Sequence, residues 1–186
     1  MFRTFEFWIS CLFRISDFEF RICFVIRHLP ATPKPGEGGS FVITNMYHKI
    51  LVALENSRAD QTLLPHIAEL AGLHHSELLL VHVADGYVAR NYNQLNLAES
   101  QEMKDDRAYL ESSAETLRKR GLTVDTFLAL GDPAQGIVKA AEDRQCDLIA
   151  MTAHGHRLLG DLLHGSTINE VRHRAQVPVL LVRAGK

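Results

Sequence analysis

The residues in this chain whose types and spacing could do chemistry are Thr152-Ala153-His154-Gly155, followed after nine residues by Gly165-Ser166-Thr167. Glycine has no Cβ, so backbone N–H groups beside it can come close to a ligand. Gly165 stands where a helix would open. The first N–H groups of a helix have no intrahelical partner and carry the positive end of its dipole. Amide hydrogens gathered in this way suit a phosphate. The chemistry indicated is therefore the holding of a nucleotide rather than the transformation of a substrate. An apolar run, Asp147-Leu148-Ile149-Ala150-Met151, leads into the segment, and Val177-Pro178-Val179-Leu180-Leu181-Val182 follows it.

The elements needed to position such a segment can be read along residues 46–186. Ile50 to Leu54 is a short continuous apolar run, as expected of a strand buried on both faces. Glu55-Asn56-Ser57 is a candidate helix start, with Ser57 as a side-chain cap. Leu63, Leu64, Ile67, Leu70 and Ala71 then recur at helical spacing, with Pro65 expected to kink the helix or delay its start. Gly72 and the polar residues after Leu73 should end it. Leu78 to Val83 reads as a second buried strand, Asp85 to about Gln94 as a loop, and about Leu95 to Arg120 as a polar helix closed by Gly121. Thr123 to Leu130 is a third strand. Gly131-Asp132-Pro133 is a helix start with Asp132 as N-cap and Pro133 in the first helical position. Asp147 to Met151 is the fourth strand. A last helix begins near Ser166, where Thr167 and Glu170 have capping-box spacing, and Val177 to Val182 is the fifth strand.

This alternation predicts an α/β fold: a three-layer α/β/α sandwich around a five-stranded parallel sheet, Rossmann-like, with right-handed crossovers. Ligands of such sheets bind beyond the carboxyl ends of the strands, where the strand order reverses. That rule gathers Glu55, Val83 and the Thr152–Ser166 loop around one crevice.

Composition bounds the alternatives. The net charge of −2 over 186 residues leaves no basic footprint for nucleic acid. Cys11, Cys23 and Cys146 make neither a disulfide framework nor a metal quartet, which points to a reducing cytoplasm. Eight of the nine Phe and the single Trp lie in the first 41 residues, alternating with charged residues. The longest uncharged run before Arg14, Phe7 to Phe13, falls well short of the roughly 20 residues that a membrane helix needs. Pro30 to Ser40 is rich in proline and glycine and reads as a linker. Residues 1–45 are accordingly expected to be an extension and linker, disordered or non-native, upstream of a domain at 46–186. The alternative is an aromatic arm that docks on a partner or a membrane surface.

The residues Ile50-Leu51-Val52-Ala53-Leu54, Val81-His82-Val83, Gly131-Asp132-Pro133 and Pro178-Val179-Leu180-Leu181-Val182, together with the glycine segment, resemble the universal stress protein family over essentially all of 46–186. The ATP-binding branch of that family carries glycine, two residues, glycine, nine residues, glycine and then Ser or Thr. Gly155, Gly165 and Ser166 match this pattern. Thr152 stands where the first glycine would be, and Glu55 where the family usually has Asp.

The resemblance implies the three-layer fold of the adenine nucleotide alpha hydrolase type and a cytoplasmic, homodimeric regulator of the stress response that binds ATP or a related adenine nucleotide, with Mg or Mn as a bridging ion. It implies that Ala53 and Leu54 flank the ribose and that Glu55 faces the ribose or the metal. Val83 would offer backbone hydrogen bonds to adenine. Met151, Thr152, His154, Gly155, Gly165, Ser166 and Thr167 would surround the ribose and phosphates. It also implies dimerisation through Val177–Val182, with protein partners unknown and with neither nucleic acid nor membrane as a partner.

Other readings of single residues are plainer. His154, His156 and His164 lack the Cys or acidic companions of a zinc site. His82 reads as a satisfied core histidine, Cys146 as a packing residue, His74-His75 as a polar turn, and the charged face from Glu99 to Arg120 as solvated helix. Two other functions compete. One is a nucleotide-free dimerisation module of the same fold. The other is an ATP-pyrophosphatase-type enzyme, which wants a glycine-rich loop after the first strand, whereas Leu54-Glu55-Asn56-Ser57-Arg58 has no glycine. No catalytic residue is assigned. The intact mass of the endogenous protein tests the boundary at Met46: a product beginning there is expected, and one beginning at Met1 would contradict the reading of residues 1–45.

Overall fold

The computed structural model describes residues 14–15, 18–19, 45–95, 99–153 and 167–183. Two residue pairs, β1 (Arg14–Ile15) and β2 (Phe18–Glu19), pair antiparallel. The remaining elements, in chain order, are β3 (Lys49–Ala53), α1 (Asp60–His74), β4 (Glu77–Ala84), α2 (Tyr87–Leu95), α3 (Gln101–Arg118), β5 (Val124–Leu130), α4 (Pro133–Asp143), β6 (Leu148–Ala153), α5 (Thr167–Arg174) and β7 (Val179–Arg183).

The five longer strands form one parallel sheet in the order β5-β4-β3-β6-β7. Ile50, Leu51 and Val52 have no exposed surface, as their central place requires. Alternation along β3 sends Ile50, Val52 and Leu54 to one face, where they pack with Leu63, Ile67 and Ala71 of α1 and with Leu110, Ala114 and Leu117 of α3. Leu51 and Ala53 face the other side, against Ile137, Val138 and Ala141 of α4 and Val171 of α5. This is the expected three-layer arrangement. Burying one such Leu or Ile contributes about 1.5–3 kcal/mol, so the two apolar layers hold the sheet ends in place.

Several elements differ from the sequence expectation. Asp85 to Gln94 is not a loop, because Tyr87–Leu95 is helical, with Ala89 buried against Ala84 and Met103. The polar helix does not begin near Leu95. Ser100 caps α3 by accepting a bond from the Met103 N–H at 3.2 Å. Helix α1 runs past Gly72 to His74 and ends at His75, whose φ of 52° is left-handed. Pro65 sits inside α1 and neither shortens nor splits it. Helix α5 is described from Thr167, in line with the expected start near Ser166, and Glu170 pairs with Arg174 at 2.6 Å. The start at Asp132-Pro133 is as expected: the Asp132 carboxylate accepts the Gln135 N–H at 2.9 Å.

Helix α4 lies very close to the end of β4. A Cβ built on Gly136 would stand 3.1 Å from both Val83 methyl carbons and 3.4 Å from the Ala129 Cβ. A side chain at Gly136 would press on Val83, whose side chain packs on the α4 face of the sheet.

Candidate functional site

The chain runs outward from β3 to β4 and β5, then returns to the other side of β3 for β6 and β7. Strand order therefore reverses between β3 and β6, and their carboxyl ends open the crevice that such sheets use for ligands. The register Val52↔Ala150 brings the last residues of both strands side by side. Across this gap the Thr152 hydroxyl donates to Glu55 Oε1 at 3.0 Å. Thr152 is almost wholly buried, and Glu55 is exposed. The two positions at which the chain departs from the ATP-binding pattern are thus hydrogen-bonded to each other. Ser57 Oγ lies 3.5 Å from the other carboxylate oxygen, Oε2.

The chain after β3 is shaped by a buried acid. Asp60 opens α1 with 1% of its surface exposed. Its carboxylate accepts the Glu55 N–H at 3.2 Å on both oxygens, the Ser57 N–H at 3.1 Å and the Tyr109 hydroxyl at 2.8 Å. Ser57 returns a bond by accepting the Ala59 N–H at 3.1 Å. Ser57 therefore caps the turn before α1, and Asp60, three residues on, closes it reciprocally. Burial and the bond to Asp60 push the Tyr109 hydroxyl up to about 12, so it stays a donor through the neutral range.

A second buried acid lies opposite. Asp106 of α3 is 7% exposed, so the charged face from Glu99 to Arg120 is not solvated throughout. Its Oδ1 accepts the Asn56 side-chain amide at 3.2 Å, and its Oδ2 lies 3.5 Å from Nε2 of His82. Nδ1 of His82 meets the Leu54 carbonyl at 2.8 Å. The His82 ring is thus held between the Leu54 carbonyl and the Asp106 carboxylate. Asn56 has a φ of 56°, a left-handed conformation that Asn tolerates better than most residues, and it turns the chain away from the sheet.

On the β4 side, strand alternation determines what Val83 presents. Glu77 N–H donates to the His48 carbonyl and Leu54 N–H to the Val81 carbonyl, so odd-numbered residues of β4 turn their backbone groups toward β3. Ala84 turns its carbonyl the other way, to Gly131 N–H at 3.0 Å. Val83 therefore directs its N–H and C=O past the end of β3, over the crevice.

Ala53, Leu54 and Glu55 lie at the end of β3, Met151 and Thr152 on β6, and Val83 on β4, all at the carboxyl end of the sheet. Thr167 is the first residue of α5. His154, Gly155, Gly165 and Ser166 lie outside the described residues. Asp60, Asn56, Asp106 and Tyr109 were not singled out by the sequence. Of these, only Asp60 left a signal, the Ser-x-x-Asp spacing from Ser57. His74 and His75 end α1, and the Tyr47 ring meets His74 edge-on at 5.5 Å between centroids. Cys146 is buried, and burial pushes its thiol up to about 11, which fits a packing role. Among the described residues no three His, Cys, Asp or Glu gather as metal ligands.

A parallel sheet with a polar crevice at its switch point is the layout of a doubly wound α/β domain, and comparison with known proteins narrows the class. Residues 46–183 match the profile of the universal stress protein family. The chain belongs to that family. Universal stress protein MJ0577 of Methanocaldococcus jannaschii is 29% identical over 158 residues, covering 74% of this chain and 96% of that protein. YxiE of Bacillus subtilis is 26% identical over 148 residues, covering 74% of this chain and all of that protein. The solved structure of MJ0577 superposes with a TM-score of 0.63, over 76% of this chain and 99% of that one. A universal stress protein solved in complex with cAMP (16% identity, TM-score 0.58, 75% of this chain and 99% of that one) shares the fold. So does one from Archaeoglobus fulgidus in complex with dAMP (21%, TM-score 0.54, 73% and 98%).

The raised Tyr109 hydroxyl carries a stability prediction. A group that binds its proton more tightly when folded contributes stability that is complete below its unfolded value, near 10, and is lost as pH rises from about 10 to about 12. Urea unfolding across this window should show a steeper loss of stability for the native protein than for Tyr109→Phe. Equal slopes would contradict the buried Tyr109–Asp60 bond.

Proposed function

We propose that this protein is an adenine-nucleotide-binding regulator of the stress response, holding ATP or a related adenine nucleotide at the carboxyl ends of β3, β4 and β6. The observation that carries the reading is the convergence at the switch point of the outward-turned backbone of Val83, the Glu55 carboxylate and the opening between β3 and β6. Val83 offers a donor and an acceptor to a base. The Glu55 carboxylate only accepts, so it suits ribose hydroxyls or a cation rather than bare phosphate. Phosphates are assigned to the Gly155 and Gly165-Ser166 segment of the sequence, and Mg or Mn would join them to the carboxylate side as a hard, oxygen-seeking ion. That two relatives of the same fold were solved with cAMP and dAMP supports an adenine ligand. The hydroxyl nearest Glu55, that of Thr152, is almost wholly buried, and the reading is of binding, with at most slow hydrolysis, in the cytoplasm.

The same protein would act as a homodimer through β7. This strand is an edge of the sheet. Ile149 N–H donates to the Pro178 carbonyl, so Leu180 and Val182 also turn toward β6, while Val179 and Leu181 turn their backbone groups outward. An apolar edge of this kind calls for a partner. Sedimentation of the native chain as a dimer is expected; a monomer at micromolar concentration would contradict it.

One observation favours a second reading, a nucleotide-free module. Thr152, bonded to Glu55, puts a β-branched side chain where a glycine would leave room. Mass analysis of small molecules released on denaturing the purified full chain, with melting in the presence of magnesium-ATP, separates the two. A ligand at a hundred times its dissociation constant adds about 2.7 kcal/mol to stability. A clear upward shift that Gly165→Val abolishes is expected. No released nucleotide and no shift would favour the empty module.

A further inference from the structure

The β3–β4 ladder stops one step early. Its register runs from Lys49↔Glu77 to Ala53↔Val81, although β4 continues beside β5 as far as Ala84. The last bond on the β3 side runs from the Leu54 N–H to the Val81 carbonyl, at 2.8 Å. In a parallel ladder the next bond would run from the Val83 N–H to the Leu54 carbonyl. That carbonyl instead meets Nδ1 of His82 at 2.8 Å. A carbonyl can only accept, so Nδ1 carries the hydrogen. The ring is braced on its other side by Asp106, which also holds Asn56 as the chain turns away from β4.

We infer that His82 is a positioning residue that ends the β3–β4 ladder by capturing the Leu54 carbonyl, and so leaves the Val83 N–H and C=O free to read the edge of a purine base. The inference rests on the proposed nucleotide site and adds its base selectivity. A free N–H and C=O on one residue form a donor–acceptor pair of fixed polarity. Adenine presents the complement: the N1 acceptor beside the 6-amino donor. A 6-oxopurine presents the reverse, an N1–H donor beside an oxygen acceptor. Were the ladder to continue, the Val83 N–H would be spent on Leu54 and this discrimination would go. The same residue carries the constraint on its other side, because Gly136 lets α4 pack against the Val83 side chain and hold it to that face.

The test uses the full chain and two variants. In His82→Asn the side-chain amide Nδ2 can replace Nδ1 as donor to Leu54, whereas His82→Leu removes the donor. Residue-resolved amide exchange without nucleotide reads the ladder directly. The Val83 N–H should exchange at least about tenfold faster than the paired Val81 N–H, because opening a strand bond costs more than exposing a free amide. In His82→Leu the Val83 N–H should slow toward Val81, while in His82→Asn it should stay fast. Binding of AMP and IMP reads the consequence. The native protein and His82→Asn should prefer AMP by roughly 100-fold, as sites built on buried hydrogen bonds reject mismatched partners, and His82→Leu should lose most of that preference. A Val83 amide as protected as Val81 in the native protein overturns the inference even if His82→Leu does not fold. Slowed exchange in His82→Leu with the AMP preference unchanged overturns it as well. Failure of the native protein to bind either nucleotide defeats the nucleotide site and its base selectivity, while the exchange pattern still decides whether His82 ends the ladder.

Discussion

Two buried carboxylates determine where the chain goes after its central strand. Removing a carboxylate from water costs several kcal/mol unless hydrogen-bond donors converge on it. Asp60 collects two backbone amides and the Tyr109 hydroxyl, and Asp106 accepts the Asn56 amide and lies beside the His82 ring. Nearly all of these donors belong to residues 54–57 or to side chains that touch them. The acids are satisfied only if the chain leaves β3 in the observed turn. The turn, in turn, is stable only while both acids remain buried beneath it. Charge-assisted bonds of this type are about twice as strong as neutral ones, and they hold the turn after β3 without a glycine-rich loop.

Above that turn, the sheet topology supplies the opening and the strand ends supply the chemistry. Glu55 and Thr152 face each other because β3 and β6 are neighbours in space though nearly a hundred residues apart in sequence. Their bond makes an acceptor-only group the fixed feature between the strands. The backbone of Val83 lies on the far side of β3, set by strand alternation and by the tight approach of α4 at Gly136. On the proposed reading, the sugar-facing and base-facing groups would come from different strands held by different helices. A change in one apolar layer of the sandwich would disturb one part of the pocket more than the other.

Much of this was legible in the sequence for simple reasons. Strands buried on both faces are continuous apolar runs, so β3, β4, β6 and β7 stood out, and Asp132-Pro133 announced α4. Helix α2 did not. Tyr87–Leu95 is short, with one narrow apolar face that finds cover against Ala84, Met103, Leu128 and Leu130. Gly72 looked like a helix end, but α1 continues to a left-handed His75, because packing of Ala68 and Ala71 outweighs the roughly 1 kcal/mol that an interior glycine costs. The places of Glu55, Thr152 and Val83 at the strand ends could be read from motif and topology. Asp106 could not: it sits among exposed charges in α3, and only the packing of α3 on β4 reveals that it faces inward. The role of His82 was equally hidden, since it depends on which carbonyl its ring meets.

The central claim is that an adenine nucleotide seats at the carboxyl ends of β3, β4 and β6. Titrating the isotope-labelled protein with AMP and following backbone amide shifts tests it most directly. The account predicts that the largest changes fall on Leu54, Glu55, Val83, Ala84 and Thr152. Changes confined to the opposite end of the sheet, around the small apolar hollow formed by Val138, Cys146, Ile149 and Val177, would contradict it.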